Sequence, residues 1–254
     1  MINNKKVFAI VMAGGKGTRI GATDFPKVMF TVADKPIIEW ALRPLEQLKK
    51  DGLIDRILVI VGFKGDKIID YLKDRVEYVW QKEQLGTAHA VQMAENLLAN
   101  EEGITVIVNG DHALYSAATY EKMLKTYTDK DLTLAFATVE SPDRFDSYGR
   151  VLRGDKGEIK GVVEVPEATE VELKIKEKSI NLYAVDNEWL FGVLPDIKQS
   201  AAKKEYYIVD IVKKAIDQGK KVATVGVDDE DEALGINTLD DRAEVEGILR
   251  ARQF

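Results

Sequence analysis

The sequence predicts an α/β protein with a doubly wound, mostly parallel sheet and a smaller β-rich lobe inserted into it. Three observations support this fold class. Short apolar runs alternate with helical segments in the first half of the chain, polar loops follow those runs, and closely spaced strand-like segments begin near residue 140. Such alternation is typical of parallel strands joined by right-handed helical crossovers. We expect one domain over residues 1–254, with the embedded lobe at about 140–185.

The elements of the first half are predicted from their own residue patterns. Helical segments have one apolar face, as Ile38, Leu42 and Leu45 show, and Ser116 is suited to cap the last of them. Short apolar runs between turn-forming residues indicate buried strands. The predicted strands cover 7–12, 56–61, 76–80, 104–108 and 132–139, and the predicted helices cover 36–50, 64–72, 88–99 and 116–127.

The second half has a different pattern. Two β-rich segments flank Gly154-Asp155-Lys156-Gly157 and predict a hairpin. The acidic run 228–232 predicts a solvated loop, because adjacent side chains in a run cannot all converge on one cation. The remaining predictions are hairpin strands at 148–153 and 159–164, further strands at 180–185 and 221–227, and helices at 188–194, 206–218 and 240–252.

Composition excludes several classes of function. The 254 residues carry a formal net charge of −7 and no long basic run, so we expect no nucleic-acid partner. Cysteine is absent, which excludes disulfides, thiolate catalysis and zinc–thiolate sites, and only two histidines are present. No apolar stretch approaches the length of a membrane span, and the first six residues are too polar for a signal peptide. We therefore expect a cytoplasmic protein without a membrane partner, and the sequence leaves its oligomeric state open.

A glycine-rich loop, AGGKGTR at residues 13–19, directly follows the first predicted strand. Gly14, Gly15 and Gly17 have no Cβ, so the backbone can turn sharply and approach a ligand, while Lys16 and Arg19 add positive charge. Backbone N–H groups together with fixed cations suit a polyphosphate. The spacing fits neither the Walker loop nor the complete dinucleotide-binding pattern, since Ile20 stands where that pattern needs a third glycine. An NAD-type oxidoreductase is therefore a poor alternative.

Other polar segments also follow predicted strands, and they are far apart in sequence. Gln81 follows the third strand, Asp111 follows the fourth, and Pro26 precedes a lysine, Lys27, after the glycine loop. Ligands of doubly wound sheets bind outside the carboxyl ends of the strands. We therefore expect these loops to meet at one rim of the sheet.

Taken in order, these segments resemble the sugar-phosphate nucleotidyltransferases. Within that family the chain looks most similar to the N-acetylglucosamine-1-phosphate uridylyltransferase half of the bacterial bifunctional enzyme that makes UDP-N-acetylglucosamine. The resemblance extends through nearly the whole chain and implies a Rossmann-like nucleotidyltransferase sheet. The residues that carry it are AGGKGTR at 13–19, PKV at 26–28, QKEQLGTAHA at 81–90, GD at 110–111, YGR at 148–150, GVVE at 161–164, IN at 180–181, EYYIVD at 205–210 and GIN at 235–237.

The resemblance implies transfer of UMP from UTP to N-acetylglucosamine-1-phosphate, with Mg²⁺ as cofactor and pyrophosphate as the other product. The nucleophile is already an anion, so catalysis requires positioning and charge neutralisation rather than a dedicated base. The implied catalytic residues are Arg19 and Lys27. The implied ligand residues are Ala13, Gly14, Gly15, Gly17, Gln81, Gly86 and Thr87 for the nucleotide, Gly149, Glu164 and Asn181 for the sugar, and Asp111 and Asn237 for the metal.

Several of these residues have simpler interpretations. Arg19 suits a surface ion pair, Gln81 a solvent-facing strand end, Glu164 an exposed strand carboxylate, and Asn237 a helix cap. Asn237 is assigned to the metal almost wholly on the resemblance. Gln81 has an amide that could pair with two adjacent positions of uracil. His112 after Asp111 either disturbs the metal site or packs outside it, and it is assigned no role.

Departures from the family pattern keep alternatives open. Leu182-Tyr183 stands where the family has Thr-Gly, which leaves the sugar open. The hexapeptide-repeat β-helix of the bifunctional enzyme does not follow here, so we expect no acetyltransferase activity. The alternatives are a nucleotidyltransferase for glucose-1-phosphate, one that uses dTTP or CTP, and a non-catalytic nucleotide-sugar sensor.

Overall fold

The computed structural model describes residues 5–21, 24–141 and 144–252. The strands are β1 (Lys6–Met12), β2 (Thr31–Val32), β3 (Lys35–Pro36), β4 (Arg56–Val61), β5 (Glu77–Trp80), β6 (Gly103–Asn109), β7 (Leu134–Glu140), β8 (Arg150–Arg153), β9 (Ile159–Val163), β10 (Glu177–Asp186) and β11 (Val222–Gly226). The helices are α1 (Ile37–Lys50), α2 (Asp66–Leu72), α3 (Thr87–Gln92), α4 (Glu95–Leu98), α5 (Ala117–Asp129), α6 (Asn187–Val193), α7 (Asp210–Asp217) and α8 (Leu239–Ala251).

The main sheet has the order β11-β7-β10-β6-β1-β4-β5. Strand β1 lies between β4 and β6 and is parallel to both. Strand β10 is antiparallel to its neighbours β6 and β7, whereas β11 is parallel to β7. The β8–β9 hairpin joins this sheet through one pairing of β8 with β10. The predicted α/β class with a mostly parallel sheet is therefore confirmed.

Both faces of the sheet are covered, as buried parallel strands require. On β1, Val7, Ala9 and Val11 face one apolar cluster together with residues of α1 and α5. The alternate residues Phe8 and Ile10 face a second cluster with residues of α3, α6 and α7. This alternation on a central strand fixes the sheet between two helical layers, with the carboxyl ends of β1, β4, β5 and β6 at one rim.

Three predicted elements differ in the structure. The helix expected at 88–99 is divided into α3 and α4, and the helix expected at 206–218 begins only at Asp210. The backbone of Tyr206 is instead hydrogen bonded to Leu85 and Ala88, so it cannot join a helix. The strand expected at 180–185 is longer and begins at Glu177, and its register with β7 shifts between Ser179 and Tyr183.

The acidic run 228–232 is not simply a solvated loop. Glu232 is buried and accepts a hydrogen bond from the Thr119 hydroxyl. Other carboxylates of the run pair with Arg144 and Arg252. The run therefore attaches this segment to the domain through specific ion pairs. Among the residues that the structure describes, no helix has the length and apolar character needed to cross a lipid bilayer.

Candidate active site

A cavity of about 530 Å³ lies at the carboxyl ends of the parallel strands. Its wall is formed by the loops that follow β1, β5 and β6, and by the start of α3. The structure thus brings together residues as far apart in sequence as Met12 and Tyr207. The predicted site residues that line it are Ala13, Gly14, Gly15, Gly17, Lys27, Gln81, Gly86, Thr87 and Asp111.

The glycine loop is held against the next strand end. The Ala13 amide donates to the Ile60 carbonyl at 2.9 Å, and the Phe63 amide donates to the Gly14 carbonyl at 3.1 Å. A Cβ on Gly62 would lie 2.6 Å from the Gly14 oxygen, a distance that no side chain tolerates. Gly62 is therefore needed for this close backbone approach. Sequence reasoning missed it, although a glycine directly after an apolar strand was a visible signal.

Gln81 lines the cavity next to the glycine loop and is only 4% exposed. Its Nε2 donates to the Gly86 carbonyl at 3.0 Å and lies 3.1 Å from His89 Nδ1. Its Oε1 lies on the Gly14 side, 2.8 Å from where a Gly14 Cβ would be. The solvent-facing alternative is thus wrong. Nε2 is thus hydrogen bonded to the Gly86 carbonyl and lies beside His89 Nδ1, which makes the carbonyl oxygen the less engaged end of the amide, and pairing with two positions of uracil stays a prediction.

The segment 206–208 closes the cavity beside α3. The Tyr206 amide donates to the Leu85 carbonyl at 2.8 Å, and the Ile208 amide donates to the Thr87 hydroxyl at 2.9 Å. Gly86 has φ +118°, and a Cβ there would lie 2.4 Å from the Tyr206 oxygen. Only glycine combines this dihedral with this contact. Gly86 and Thr87 therefore have structural roles beside their predicted nucleotide-binding roles.

A compact charged cluster stands at the edge of the cavity. The Lys27 ammonium contacts Asp111 Oδ2 and donates to Asn237 Oδ1 at 3.0 Å. Arg19 Nη2 donates to the same Asn237 oxygen at 2.8 Å. Two oxygen-bearing side chains and two cations thus lie together, although they are far apart in sequence. Arg19 is exposed, as the simpler interpretation expects, but its guanidinium contacts a predicted metal ligand.

The position of Asn237 is set by the helix that follows it. Thr238 is the N-cap of α8 and forms a capping box with Asp241. Asp241 Oδ2 also accepts from the backbone N–H of Asn237 at 2.8 Å. Asn237 itself is therefore not the cap, so its side chain is available for the cluster. The cap that the sequence suggested belongs to the next residue.

The charge state and surroundings of the Asp111 carboxylate suit the binding of a cation. Burial acts to raise the pKa of Asp111, but the Lys27 charge and hydrogen bond outweigh it and hold the pKa below its usual range. Asp111 Oδ1 is buried and accepts no hydrogen bond from any described residue. A buried carboxylate oxygen without a donor is costly unless it binds a cation. Within the described ranges no group of three or more His, Asp and Glu side chains forms a metal site, so the residues fit an ion shared with ligand oxygens.

His112 packs directly behind this cluster. It is buried, its ring stacks on Tyr115 at a centroid distance of 5.0 Å, and its Nε2 lies 3.9 Å from Asp111 Oδ1. Burial lowers the pKa of His112, which favours the neutral form of the ring. His112 is packed, as one of the two alternatives expects, but it lies beside Asp111 rather than outside the predicted metal site.

The predicted sugar-contacting residues form a second group in and beside the β-rich lobe. A Cβ on Gly149 would lie 3.4 Å from Glu164 Oε1. Asn181 has φ +58° in the irregular part of β10 and accepts a hydrogen bond from the buried Tyr183 hydroxyl at 3.2 Å. Burial, with smaller effects of the Asp210 and Glu167 charges, raises the pKa of Glu164 to about 7. Glu164 is therefore not the fully exposed carboxylate of the simpler interpretation.

Some residues of the cavity were not selected from the sequence. Asn109 ends β6 beside Asp111, and Gln84, Glu205 and Tyr207 also line the cavity. The sequence favours domain packing over ligand binding for both Tyr206 and Tyr207, yet Tyr207 lines the cavity. Tyr206 does pack against Gly86. Successive residues of an extended segment point to opposite sides, so one tyrosine can pack while the next lines the cavity.

Comparison with known proteins establishes the class. The nucleotidyl transferase family model matches residues 8–232, and the chain belongs to that family. The enzyme class predicted from the sequence, a nucleotidyltransferase, is thereby confirmed. Enzymes of this family generally depend on a divalent metal ion.

Individual relatives make the relationship more specific. The chain is 38% identical over 245 residues to the bifunctional protein GlmU of Exiguobacterium sp. and 35% identical to that of Shouchella clausii. Each match covers 96% of this chain but 53% of the relative, so the chain spans about half the length of these relatives. The crystal structure of UDP-glucose pyrophosphorylase complexed with UDP-glucose has a TM-score of 0.79 at 19% identity, and the match covers 98% of this chain and 100% of that one. This last likeness shows the fold.

Proposed function

We propose that the protein transfers UMP from UTP to N-acetylglucosamine-1-phosphate, giving UDP-N-acetylglucosamine and pyrophosphate, with Mg²⁺ as cofactor. The carrying observation is the cluster of Lys27, Asp111, Asn237 and Arg19 beside a cavity lined by the glycine loop and Gln81. It combines cations for phosphates with hard oxygen ligands for a metal. The relatives named bifunctional protein GlmU support the same reaction class.

In the proposed reaction a phosphate oxygen of the sugar-1-phosphate attacks the α-phosphorus of UTP. A new P–O bond forms, and the bond from the α-phosphorus to the bridging oxygen breaks, so the electron pair leaves with pyrophosphate. The backbone of Gly14 and Gly15 approaches the triphosphate, while Lys27 and Arg19 neutralise phosphate charge. Asp111 and Asn237 would hold the metal, which supplies further charge neutralisation when bound.

The roles of the remaining residues follow from their positions. Gln81 Oε1 accepts from the uracil N3–H, and the backbone of Gly86 and Thr87 contacts the base. Gly149, Glu164 and Asn181 contact the sugar in the embedded lobe, within the single domain proposed for residues 1–254. A protonated Glu164 can donate to a sugar oxygen as well as accept.

Glucose-1-phosphate is the second candidate acceptor. Tyr183 fills the core beside Asn181 and bonds to its side chain, at a position where the family pattern has glycine. That hydrogen bond occupies the side-chain oxygen of Asn181, the residue proposed to contact the sugar. The substituent at C2 of the sugar, acetamido or hydroxyl, is therefore left open.

A substrate panel tests the proposal. Pyrophosphate release is measured with UTP, CTP, dTTP and GTP, each combined with N-acetylglucosamine-1-phosphate or glucose-1-phosphate. We expect the highest kcat/KM for UTP with N-acetylglucosamine-1-phosphate. We expect no pyrophosphate release from any pair without a divalent cation. Higher activity with glucose-1-phosphate would overturn the sugar assignment. Tight UTP binding without turnover of any pair would show a sensor instead.

A further inference from the structure

His89 contacts the candidate nucleotide site but has no part in the chemistry described so far. It lies in the first turn of α3, and its Nδ1 is 3.1 Å from Gln81 Nε2. Gln81 in turn lines the cavity and is nearly fully buried. A buried amide of this kind can present either its oxygen or its nitrogen to a ligand, and its neighbours decide which.

Two acceptors surround the Gln81 nitrogen. The Gly86 carbonyl can only accept, and it lies 3.0 Å from Nε2. His89 Nδ1 accepts the second amide hydrogen when it carries a lone pair, which places the ring proton on Nε2 of the histidine. The Gln81 oxygen is then left on the Gly14 side of the cavity. Reversing the amide would place its oxygen against the Gly86 carbonyl and leave the histidine lone pair facing another acceptor.

We propose that His89 is a positioning residue that holds the Gln81 amide with its oxygen toward the cavity, and thereby selects a base with a ring N–H over one with a bare ring nitrogen. Uracil has such an N3–H, whereas N3 of cytosine is an acceptor and would face the Gln81 oxygen without a proton between them. A site built to pair with a hydrogen-bond donor rejects an analogue that lacks it strongly. This inference rests on the proposed function, because it assigns Gln81 to the nucleotide base.

The first test measures the tautomer of His89 in the unchanged protein. The chain has only two histidines, His89 and His112, so their ring ¹⁵N signals can be assigned by comparison with a His112→Gln variant. We expect the His89 ring to carry its proton on Nε2, with Nδ1 unprotonated and coupled to the Gln81 amide. A proton on Nδ1 would require the reversed amide and would overturn the proposal, whether or not any variant folds.

The second test compares the affinities for UTP and CTP by titration calorimetry with Mg²⁺ and without sugar phosphate. His89→Leu removes the acceptor, His89→Gln retains one, and Gln92→Leu on the same helix is the matched control. We expect at least a tenfold loss of the UTP preference over CTP in His89→Leu, and its retention in His89→Gln and Gln92→Leu. Equal weakening of both nucleotides in His89→Leu, or an unchanged preference, would show a merely structural residue and overturn the proposal.

The experiments distinguish failure of the His89 role from failure of the proposed function. An unchanged protein that prefers UTP while its His89→Leu variant keeps that preference would overturn only the role of His89. An unchanged protein that binds neither nucleotide would overturn the proposed function, and the role in base selection with it.

Discussion

Asp111 contacts Lys27 through one carboxylate oxygen, and its other oxygen, Oδ1, has no hydrogen-bond donor among the described residues. The Asp111→Asn substitution keeps the shape but removes the negative charge that a metal needs. A metal contributes several kcal/mol of charge stabilisation, so we expect kcat to fall by about 10²-fold or more. The measurement is pyrophosphate release at saturating substrates over a range of Mg²⁺ concentrations.

A matched control is available at the surface. Asp228 pairs with Lys122 and its side chain is 85% exposed, so Asp228→Asn should leave kcat unchanged. Circular dichroism of both variants checks that the fold is intact. Normal turnover of Asp111→Asn at ordinary Mg²⁺ concentrations would show that the metal assignment is wrong.

We expect Glu164 to make the stability of the protein depend on pH. Burial, with the Asp210 and Glu167 charges, raises its pKa to about 7, while the unfolded chain releases the same proton at a pKa of about 4.3. Between these values the folded state binds more protons, so the free energy of unfolding falls as pH rises and levels off above about pH 7. Glu164→Gln should be more stable than the unchanged protein at pH 8, by about 1–3 kcal/mol.

Urea unfolding between pH 5 and 8 measures this difference. Glu170→Gln, an exposed carboxylate in the same lobe, should leave the pH profile unchanged. A Glu164→Gln variant with the same slope as the unchanged protein would place the responsible group elsewhere. Asp210 would then be the next group to substitute, because burial and the Glu167 charge raise its pKa to about 6.

Helix α8 connects local capping to the site. Thr238 caps the helix, and its partner Asp241 also accepts from the amide of Asn237. Removing an N-cap hydroxyl costs about 1 kcal/mol, so Thr238→Ala should lower stability by that amount. Because the same box positions Asn237, we also expect a several-fold higher Mg²⁺ requirement.

Ser116, the N-cap of α5, provides the matched substitution. Ser116→Ala removes a cap hydrogen bond to the Thr119 amide rather than to a residue that also bonds Asn237, and it should lower stability without changing the Mg²⁺ requirement. Denaturant unfolding and Mg²⁺ titration of activity are measured for both variants. Equal effects of the two substitutions on the Mg²⁺ requirement would contradict a positioning role for the α8 cap.

Element patterns predicted the strands better than the irregular connections. Strands such as Arg56–Val61 were predictable because local apolar runs determine them. The delayed start of α7 was not, since it depends on hydrogen bonds of Tyr206 with Leu85 and Ala88 more than 100 residues away. The start of β10 was also missed, because the segment before residue 180 is rich in charged residues and a charged residue such as Lys178 is not expected to be buried in a strand. Local periodicity contains no information on such distant partners.

The whole molecule shows the same division at the candidate site. The sequence predicted that the glycine loop, Gln81 and Asp111 lie at one rim, because the carboxyl ends of parallel strands share one edge of the sheet. The contact of Lys27 with Asn237, 210 positions away, did not follow from that rule. It depends on α8 returning the carboxyl-terminal part of the chain to the first loop, which only the resemblance suggested.

This long-range closure predicts a distributed response to ligand. The cavity wall includes loops near residues 13–18, 81–87 and 109–111, and hydrogen bonds connect it to segments 205–208 and 235–237. A ligand that contacts all of these loops favours conformations in which they are closed together, and it stabilises them by mass action. UTP with Mg²⁺ should therefore slow amide hydrogen exchange in all five segments at once.

The β8–β9 turn at 154–157 lies outside these contacts and is the internal control, since its exchange should not change. Hydrogen–deuterium exchange with mass spectrometry at about 100 times the Kd of UTP gives the comparison, a concentration at which binding stabilises the folded state by about 2.7 kcal/mol. In Asp111→Asn, protection should persist in 13–18 and 81–87 but weaken in 109–111 and 235–237, because only the latter two segments hold the proposed metal ligands. Protection confined to the glycine loop in the unchanged protein would mean that the nucleotide does not bridge the rim, and that the loops come together for structural reasons alone.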